Sequence, residues 1–176
     1  MSDRAFLPCR IAVLTVSDTR TPEDDRSGDT LVERLSAAGH VLADRAITPD
    51  DRAGIGEHLT RWIGEEGIDV ILTTGGTGLT GRDVTVEAHR DVYDKEIDAF
   101  GVMFTIVSMK KIGTSAVQSR ACAGVARGTY LFALPGSPSA CRDAWDEILM
   151  HQLDYRHKPC NFVEIMPRLE EHQRRK

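Results

Sequence analysis

The sequence predicts an α/β domain in which a largely parallel β-sheet carries helices on both faces. Short apolar runs rich in β-branched residues alternate along the chain with segments whose apolar residues recur at helical spacing. The 176 residues suit one domain, and 41% hydrophobic residues are enough to form a core. Residues 10–167 are interpreted as the domain, residues 1–9 as an N-terminal extension and residues 168–176 as a charged tail that frays.

The first predicted elements are a strand, a helix and a second strand. Residues 10–17 (RIAVLTVS) predict a buried strand, and the polar, turn-rich residues 18–25 predict a loop. A helix is expected over residues 28–38, with Gly39 as its C-terminal stop. Residues 41–47 predict the second strand.

A second helix and the most apolar strand follow. The helix opens at residues 49–51 and ends at Gly67, and its apolar face consists of Ile55, Leu59, Trp62 and Ile63. Residues 68–74 (IDVILTT) predict a central strand, and residues 75–81 (GGTGLTG) a glycine-dense loop. A third helix is expected through Val92, with Asp83 or Thr85 as its N-cap.

The C-terminal half adds two helices and a pair of strands. One amphipathic helix is marked by Ile97, Phe100, Phe104 and Val107. Residues 121–126 and 129–134 predict a hairpin or two adjacent strands. Residues 135–138 (PGSP) predict a turn that starts the last helix, with Ser137 as its N-cap and Pro138 in its first position.

Composition and charge exclude several classes of function. The formal net charge of −5 argues against a dedicated nucleic-acid or membrane-surface binder. No apolar run approaches the roughly 20 residues that span a bilayer, and the N-terminus lacks the apolar stretch of a signal peptide, so a cytoplasmic protein is expected. The four cysteines and six histidines show neither Cys-x-x-Cys nor His-x-x-x-His spacing, so neither a zinc site nor a disulfide framework is predicted.

Three predicted loops follow strands and converge. They comprise residues 17–18, 74–83 and 135–138. If the strands are parallel, the loops meet at one edge of the sheet, where such sheets bind ligands. Asp18 in the first loop reaches this edge or is a turn residue, and Ser137 in the third donates to a ligand or caps its helix.

The glycine-dense loop carries the strongest chemical signal. Residues 73–78 (TTGGTG) directly follow the buried strand, and successive N–H groups in such a turn form a concavity for anions. The hydroxyls of Thr74 and Thr77 can add donors, so the pattern suggests phosphate binding. The alternative is a glycine turn that serves only tight packing between strand and helix. The loop is neither a Walker loop nor a dinucleotide fingerprint.

Two aspartates near this edge have two interpretations each. A carboxylate beside a phosphate needs a cation between them, and Mg²⁺ bound by one or two carboxylates plus substrate phosphates is common. Asp83 is thus a metal anchor or the N-cap of its helix, and Asp50 is a site residue or the cap of the helix that follows it.

Four ordered motifs resemble the MoaB/Mog family of molybdenum cofactor biosynthesis proteins. They are TTGGTG at residues 73–78, GRDVTVEA at 81–88, GTSAVQSR at 113–120 and LPGSPSA at 134–140. The likeness extends from residue 10 to residue 162. The resemblance implies a three-layer α/β/α sandwich that assembles as a homotrimer, or as a homohexamer of paired trimers.

The resemblance also implies an activity. Active members adenylylate molybdopterin, joining its terminal phosphate to the AMP part of Mg-ATP and releasing pyrophosphate. The alternative is a non-catalytic carrier of molybdopterin in the same pathway, and other molybdenum cofactor enzymes are candidate partners. Residue by residue, the family motifs imply phosphate binding by Gly75, Gly76, Thr77 and Gly78, catalysis and Mg²⁺ positioning by Asp50 and Asp83, and pterin-pocket contacts from Asp18, Ser119, Gly136 and Ser137.

Overall fold

The computed structural model describes residues 4–174 and contains six strands and five main helices. Residues 1–3 of the predicted extension and residues 175–176 of the predicted tail lie outside the described residues. The strands are β1 (Arg10–Val16), β2 (Val41–Thr48), β3 (Val70–Thr74), β4 (Lys95–Glu96), β5 (Cys122–Ala126) and β6 (Thr129–Leu134). The helices are α1 (Arg26–Ala37), α2 (Arg52–Gly64), α3 (Thr85–Val92), α4 (Asp98–Ile112) and α5 (Pro138–Ala144).

The six strands form one sheet in the order β2-β1-β3-β6-β5-β4. The first four strands of that order are parallel, and β5 and β4 are antiparallel to their neighbours, so the prediction of a mostly parallel sheet is confirmed. Strands β5 and β6 form the predicted hairpin. Thr74 at the end of β3 is level with Thr15 of β1 and Leu134 of β6, which brings three carboxyl ends together.

Helices cover both faces of the sheet, which confirms the three-layer α/β/α sandwich. Alternate residues of a strand face opposite sides, so Ile11 and Val13 pack with α1, α4 and α5, whereas Ala12 and Leu14 pack with α2 and α3. Full burial of one large apolar side chain contributes about 1.5–3 kcal/mol. Trp62 and Trp145, the two largest of these side chains, are both buried.

Helix starts differ from the predictions by one or two residues, because a cap depends on the orientation of one side chain. Helix α1 begins at Arg26 rather than residue 28, since the Asp25 carboxylate accepts a hydrogen bond from the Gly28 N–H. Asp51, not Asp50, caps α2. Helix α3 begins at Thr85 after Val84 without a side-chain cap, so neither Asp83 nor Thr85 is its N-cap.

The C-terminal segment begins as predicted and then departs from the prediction. Ser137 caps α5, accepting from the Ala140 N–H at 3.1 Å, and Pro138 takes the first helical position. The helix continues through a π-helical turn at Trp145–Leu149. The described part of the charged tail includes a short helix at Glu171–Arg174. Between residues 4 and 174, the structure has no helix whose length and hydropathy would let it cross a bilayer.

Candidate functional site

The candidate site lies where β1, β3 and β6 end. The Gly75 N–H donates to the Leu134 carbonyl at 3.0 Å, and the Thr74 hydroxyl donates to the Pro135 carbonyl at 2.9 Å. These two bonds join the end of β3 and the start of the glycine loop (residues 75–81) to the end of β6 and the turn that precedes α5. Arg82, directly after the glycine loop, donates to Asp18 at 2.6 Å. The predicted meeting of the three loops is therefore confirmed, and it depends on the parallel direction of the three strands.

Close backbone approach explains the glycines at the start of the loop. Gly75 and Gly76 have φ values of +101° and +68°, which side-chain-bearing residues rarely adopt. A Cβ atom at Gly75 would lie 2.2 Å from the Val16 carbonyl oxygen, and one at Gly76 would lie 2.3 Å from Thr85 Oγ1. The loop is thus pressed between β1 and the start of α3, and its peptide groups lie at the sheet edge.

A cleft of about 460 Å³ opens beside the glycine loop. One wall consists of loop and turn residues with many backbone polar groups, and the other is contributed largely by α4 and the segment after it. The lining residues are Gly76, Thr77, Gly78, Asp83, Phe104, Ser108, Ile112, Ser115, Gln118, Ser119, Pro135, Gly136, Ser137 and Ala140. Such a cleft suits a small ligand with an apolar part and a polar part.

Asp83 borders the cleft at Gly78. A Cβ atom at Gly78 would lie 2.7 Å from Asp83 Oδ2, so the carboxylate rests against the glycine backbone. The same oxygen accepts hydrogen bonds of 2.8 Å from the N–H and the hydroxyl of Thr80. Its own turn therefore holds Asp83 in place at the rim.

Asp50 and Asp18 lie near Gly76 but are not among the residues that line the cleft. A Cβ atom at Gly76 would lie 3.0 Å from Asp50 Oδ1. Asp18 accepts from the Asp50 N–H at 3.0 Å and from the Arg82 guanidinium at 2.6 Å. Three carboxylates, with one arginine among them, thus lie around the glycine loop.

The electrostatics of this corner favour a cation. Partial burial raises the pKa of Asp50, and the neighbouring carboxylates of Asp18 and Asp83 raise it further, against the lowering effect of Arg82. The hydrogen bond from Arg82 lowers the pKa of Asp18. A cation placed near Asp50 would relieve the repulsion that these aspartates exert on its ionised form.

Two aspartates are the possible metal ligands at the glycine loop. Within residues 4–174, no group of three or more His, Cys, Asp or Glu side chains could hold a metal. Two carboxylates, Asp50 and Asp83, nevertheless border Gly76 and Gly78. This is the number of protein ligands with which Mg²⁺ is bound when substrate phosphates supply the other oxygens.

The remaining predicted residues divide into two groups. Ser119, Gly136, Ser137 and Thr77 line the cleft. Ser137 also caps α5, which confirms that interpretation, and its contact with a ligand stays a prediction. The Thr74 hydroxyl is engaged by the Pro135 carbonyl, so it joins two loops, and its contact with a ligand stays a prediction.

Arg120 is a structural residue of the site that the sequence pattern alone barely indicates. Its guanidinium donates to the carbonyls of Gly78 at 2.8 Å and Asp83 at 3.2 Å, and it pairs with Glu87 of α3. Arg120 thereby fixes the glycine loop to α3. The sequence signal for it is its place at the end of the GTSAVQSR motif.

The N-terminus of α1 contacts the turn that precedes α5 and helps to position it. The Ser27 hydroxyl donates to the Gly136 carbonyl at 2.6 Å. Buried Asp25 accepts from the Thr15 hydroxyl at 2.8 Å and pairs with Arg45 at 2.8 Å. Sequence patterns place Asp25 in a loop and indicate neither residue, because their partners are distant along the chain.

Fold and site together define an α/β protein with a glycine loop and an adjoining cleft at the carboxyl edge of its sheet. The family model described as "Probable molybdopterin binding domain" matches residues 12–155. Molybdenum cofactor biosynthesis protein B of Escherichia coli K12 is 48% identical over 157 residues, covering 89% of this chain and 92% of that protein.

Solved structures agree. A crystal structure of a molybdenum cofactor biosynthesis protein B has a TM-score of 0.86 at 37% identity, covering 96% of this chain and 99% of that chain. The tungsten cofactor synthesizing protein MoaB from Pyrococcus furiosus has a TM-score of 0.72 at 32% identity, covering 95% and 98%. The chain belongs to the molybdopterin-binding family of molybdenum cofactor biosynthesis proteins, which confirms the MoaB/Mog resemblance.

Proposed function

We propose that this protein binds molybdopterin and adenylylates it with Mg-ATP. The observation that carries the proposal is the placement of Asp50 and Asp83 against two glycines of one loop. A carboxylate there hinders binding of a lone phosphate, yet two carboxylates help to bind a phosphate that arrives with a divalent cation. Their position beside the loop thus favours a nucleotidyl transferase over a simple anion-binding protein.

The cleft suits the proposed substrate. The terminal phosphate of molybdopterin would accept hydrogen bonds from the N–H groups of the glycine loop and from the Thr77 hydroxyl. The pterin ring would lie toward Ser119 and Gly136, against the apolar side chains of Phe104 and Ile112. The ligand would therefore bridge the polar and the apolar walls.

Adenylyl transfer requires alignment of the reacting groups and neutralisation of their charge. An oxygen of the molybdopterin phosphate attacks the α-phosphorus of ATP, a new P–O bond forms, and the bond to the β-phosphate breaks with departure of pyrophosphate. The nucleophile is already an anion, so no strong base is needed. Asp50 and Asp83 would hold Mg²⁺, which neutralises charge on the transferring phosphates when bound. The glycine loop would hold the attacking phosphate in line.

A pair of adjacent aspartates gives a matched test. With molybdopterin, ATP and Mg²⁺, we expect Asp50→Asn and Asp83→Asn to lower kcat/KM for adenylyl-molybdopterin formation by about 100-fold or more. Asp51→Asn should retain activity, because Asp51 caps α2 and asparagine caps a helix equally well. Equal, background-level turnover of wild type and Asp83→Asn would refute the proposed activity.

Calorimetry distinguishes the enzyme from a carrier of molybdopterin. An adenylyltransferase binds both molybdopterin and Mg-ATP. A carrier binds the pterin but shows no heat of Mg-ATP binding, and Asp50→Asn would leave its pterin affinity unchanged within about twofold. Titration of each ligand into wild type and Asp50→Asn therefore separates the two functions.

We also propose that the protein functions as a homo-oligomer, a trimer or a hexamer, through α4. Six large apolar side chains of α4 and the turn after it are between 49% and 80% exposed: Val102, Met103, Ile106, Met109, Ile112 and Val117. A contiguous apolar surface of this kind marks an interaction site. The same helix supplies Phe104 and Ile112 to the cleft, so a second copy seated on α4 would adjoin the site.

A further inference from the structure

Thr85 is a buried residue with an unused hydroxyl. Its side chain is fully buried, and among the described residues its Oγ1 and His58 Nδ1 are the two buried side-chain atoms without a hydrogen-bond partner. Buried polar groups are nearly always hydrogen-bonded, and a native structure that leaves one unpaired is less stable for it. The Thr85 hydroxyl therefore needs an explanation.

The position of this hydroxyl is informative. Thr85 is the first residue of α3, and its N–H donates to the Gly76 carbonyl at 3.1 Å. Its Oγ1 lies against the α-carbon of Gly76, and Asp50 Oδ1 borders the same carbon. The unpaired hydroxyl thus lies against Gly76 of the glycine loop, the glycine that Asp50 also borders.

The helix that Thr85 begins is also uncapped. Val84 precedes it and offers no side-chain acceptor to the first N–H groups of α3. Helix N-termini carry partial positive charge and attract anions. An unpaired hydroxyl and an uncapped helix start lie side by side, and one phosphate group could accept hydrogen bonds from both.

We propose that Thr85 is a ligand-binding residue, whose hydroxyl donates a hydrogen bond to an oxygen of a phosphate group held at the first turn of α3. The inference rests on the proposed function, in that the glycine loop receives a phosphate together with a divalent cation. It adds a specific donor from the helix to the backbone donors of the loop. Since Oγ1 is covered by Gly76, contact requires a small movement of that glycine, whose φ of +68° only glycine adopts readily.

Two substitutions isolate the hydroxyl. Valine matches the shape of threonine but lacks the hydroxyl, so Thr85→Val removes the donor without opening a cavity. Because that hydroxyl is unpaired, we expect Thr85→Val without ligand to melt at or above the wild-type temperature. The control is Thr73→Val: the Thr73 hydroxyl is bonded to His89 Nε2 at 2.9 Å, so its removal should lower the melting temperature.

The decisive measurement is calorimetric titration of inorganic phosphate, in Mg²⁺-containing buffer, into wild type, Thr85→Val and Thr85→Ser. We expect Thr85→Val to weaken phosphate binding about tenfold or more, as for loss of a hydrogen bond to a charged group. Thr85→Ser, which keeps the hydroxyl, should remain within about threefold of wild type. Equal affinity of wild type and Thr85→Val, or no phosphate binding by wild type, would overturn the inference.

The two proposals fail separately. In one case wild type binds phosphate, Thr85→Val does not, and wild type forms no adenylyl-molybdopterin. The Thr85 inference then stands, and the adenylyltransferase proposal is refuted. If wild type forms adenylyl-molybdopterin and Thr85→Val binds phosphate equally well, the reverse holds. A Thr85→Val variant that melts well below wild type would also contradict an unpaired hydroxyl.

Discussion

Gly76 is the residue at which the two halves of the site meet. Its backbone lies between Thr85 of α3 and Asp50 of the β2–α2 loop, and it also lines the cleft. Glycine is required here because φ is +68° and because a Cβ atom would lie only 2.3 Å from Thr85 Oγ1. A side chain at this position would push α3 and the loop apart.

The first prediction at this scale is that Gly76→Ala lowers the free energy of unfolding by about 1–2 kcal/mol and weakens phosphate binding at least tenfold. Gly81→Ala is the matched control, since no atom lies within 4 Å of a Cβ at Gly81 in the same loop. Chemical denaturation and phosphate titration measure both effects. If Gly81→Ala lost as much unfolding free energy and phosphate affinity as Gly76→Ala, the steric argument would be wrong.

His89 joins α3 to the central strand. It is fully buried, and its ring nitrogens form hydrogen bonds with the Thr73 hydroxyl at 2.9 Å and the Tyr93 hydroxyl at 3.0 Å. Burial lowers the pKa of His89 to about 3, so the ring is neutral at pH 7. Thr73 is two residues before Gly75, so this bond helps to position the helix relative to the loop.

The second prediction concerns pH. In the unfolded chain His89 binds a proton near pH 6.5, whereas in the folded protein burial lowers its pKa to about 3. Because the unfolded state binds the proton first, the free energy of unfolding falls as the pH drops below 6.5. Between pH 7 and pH 5, the loss is about 2 kcal/mol. His89→Gln should be less stable than wild type at pH 7, but its free energy of unfolding should fall by about 2 kcal/mol less between pH 7 and pH 5. Urea denaturation at each pH measures this difference. Parallel pH profiles would refute this assignment.

At the scale of elements, the start of α1 joins the helix to the sheet and to the site. Asp25, the buried N-cap of the helix, pairs with Arg45 of β2 and accepts from Thr15 of β1. Two residues later Ser27 donates to the carbonyl of Gly136 in the cleft wall. Movement of α1 would therefore be transmitted to the turn that lines the cleft.

The third prediction compares two aspartates that share one arginine. Asp25→Ala should lower the free energy of unfolding by about 3 kcal/mol, because it removes a buried charge partner and a helix cap together. Asp29→Ala, whose exposed carboxylate pairs with the same Arg45, should lower it by less than about 1 kcal/mol. Denaturation at one fixed protein concentration measures both. Equal decreases in the free energy of unfolding for the two variants would contradict the role of burial.

For the whole molecule, the exposed apolar residues of α4 are the main feature that a monomer leaves unexplained. They extend from the cleft across the surface of the helix, and the described chain packs nothing over them. Burial of such side chains against further copies is favourable by about 25 cal/mol per Å² of apolar area. Assembly would also bring neighbouring clefts close to the interface.

The fourth prediction is that the protein is a trimer or hexamer in solution and that Ile106→Asp dissociates it. An aspartate in an apolar interface would be buried without a partner. Ile165→Asp is the control, because Ile165 is also exposed but belongs to the C-terminal segment rather than to α4. Light scattering gives the mass. A wild-type mass of 19.4 kDa would exclude the assembly.

Much of the fold can be predicted because it rests on local patterns. The long apolar segments form strands or helices at nearly the predicted residues, and the hairpin forms where Arg127 and Gly128 allow a tight turn. The short strand β4 escapes prediction, because two charged residues, Lys95 and Glu96, carry no strand pattern. Its pairing with β5 comes from tertiary contact alone.

Periodicity along the chain is enough to predict the sandwich and the meeting of three loops, because both follow from the direction of the strands. The family motifs add the expectation that Asp50 and Asp83 lie near one glycine loop. Three-dimensional packing was needed to show that Asp51 rather than Asp50 caps α2, and that the Thr85 hydroxyl is unpaired. Hydrogen bonds depend on side-chain orientation and on partners as distant as Ser27 and Gly136, which no local pattern records.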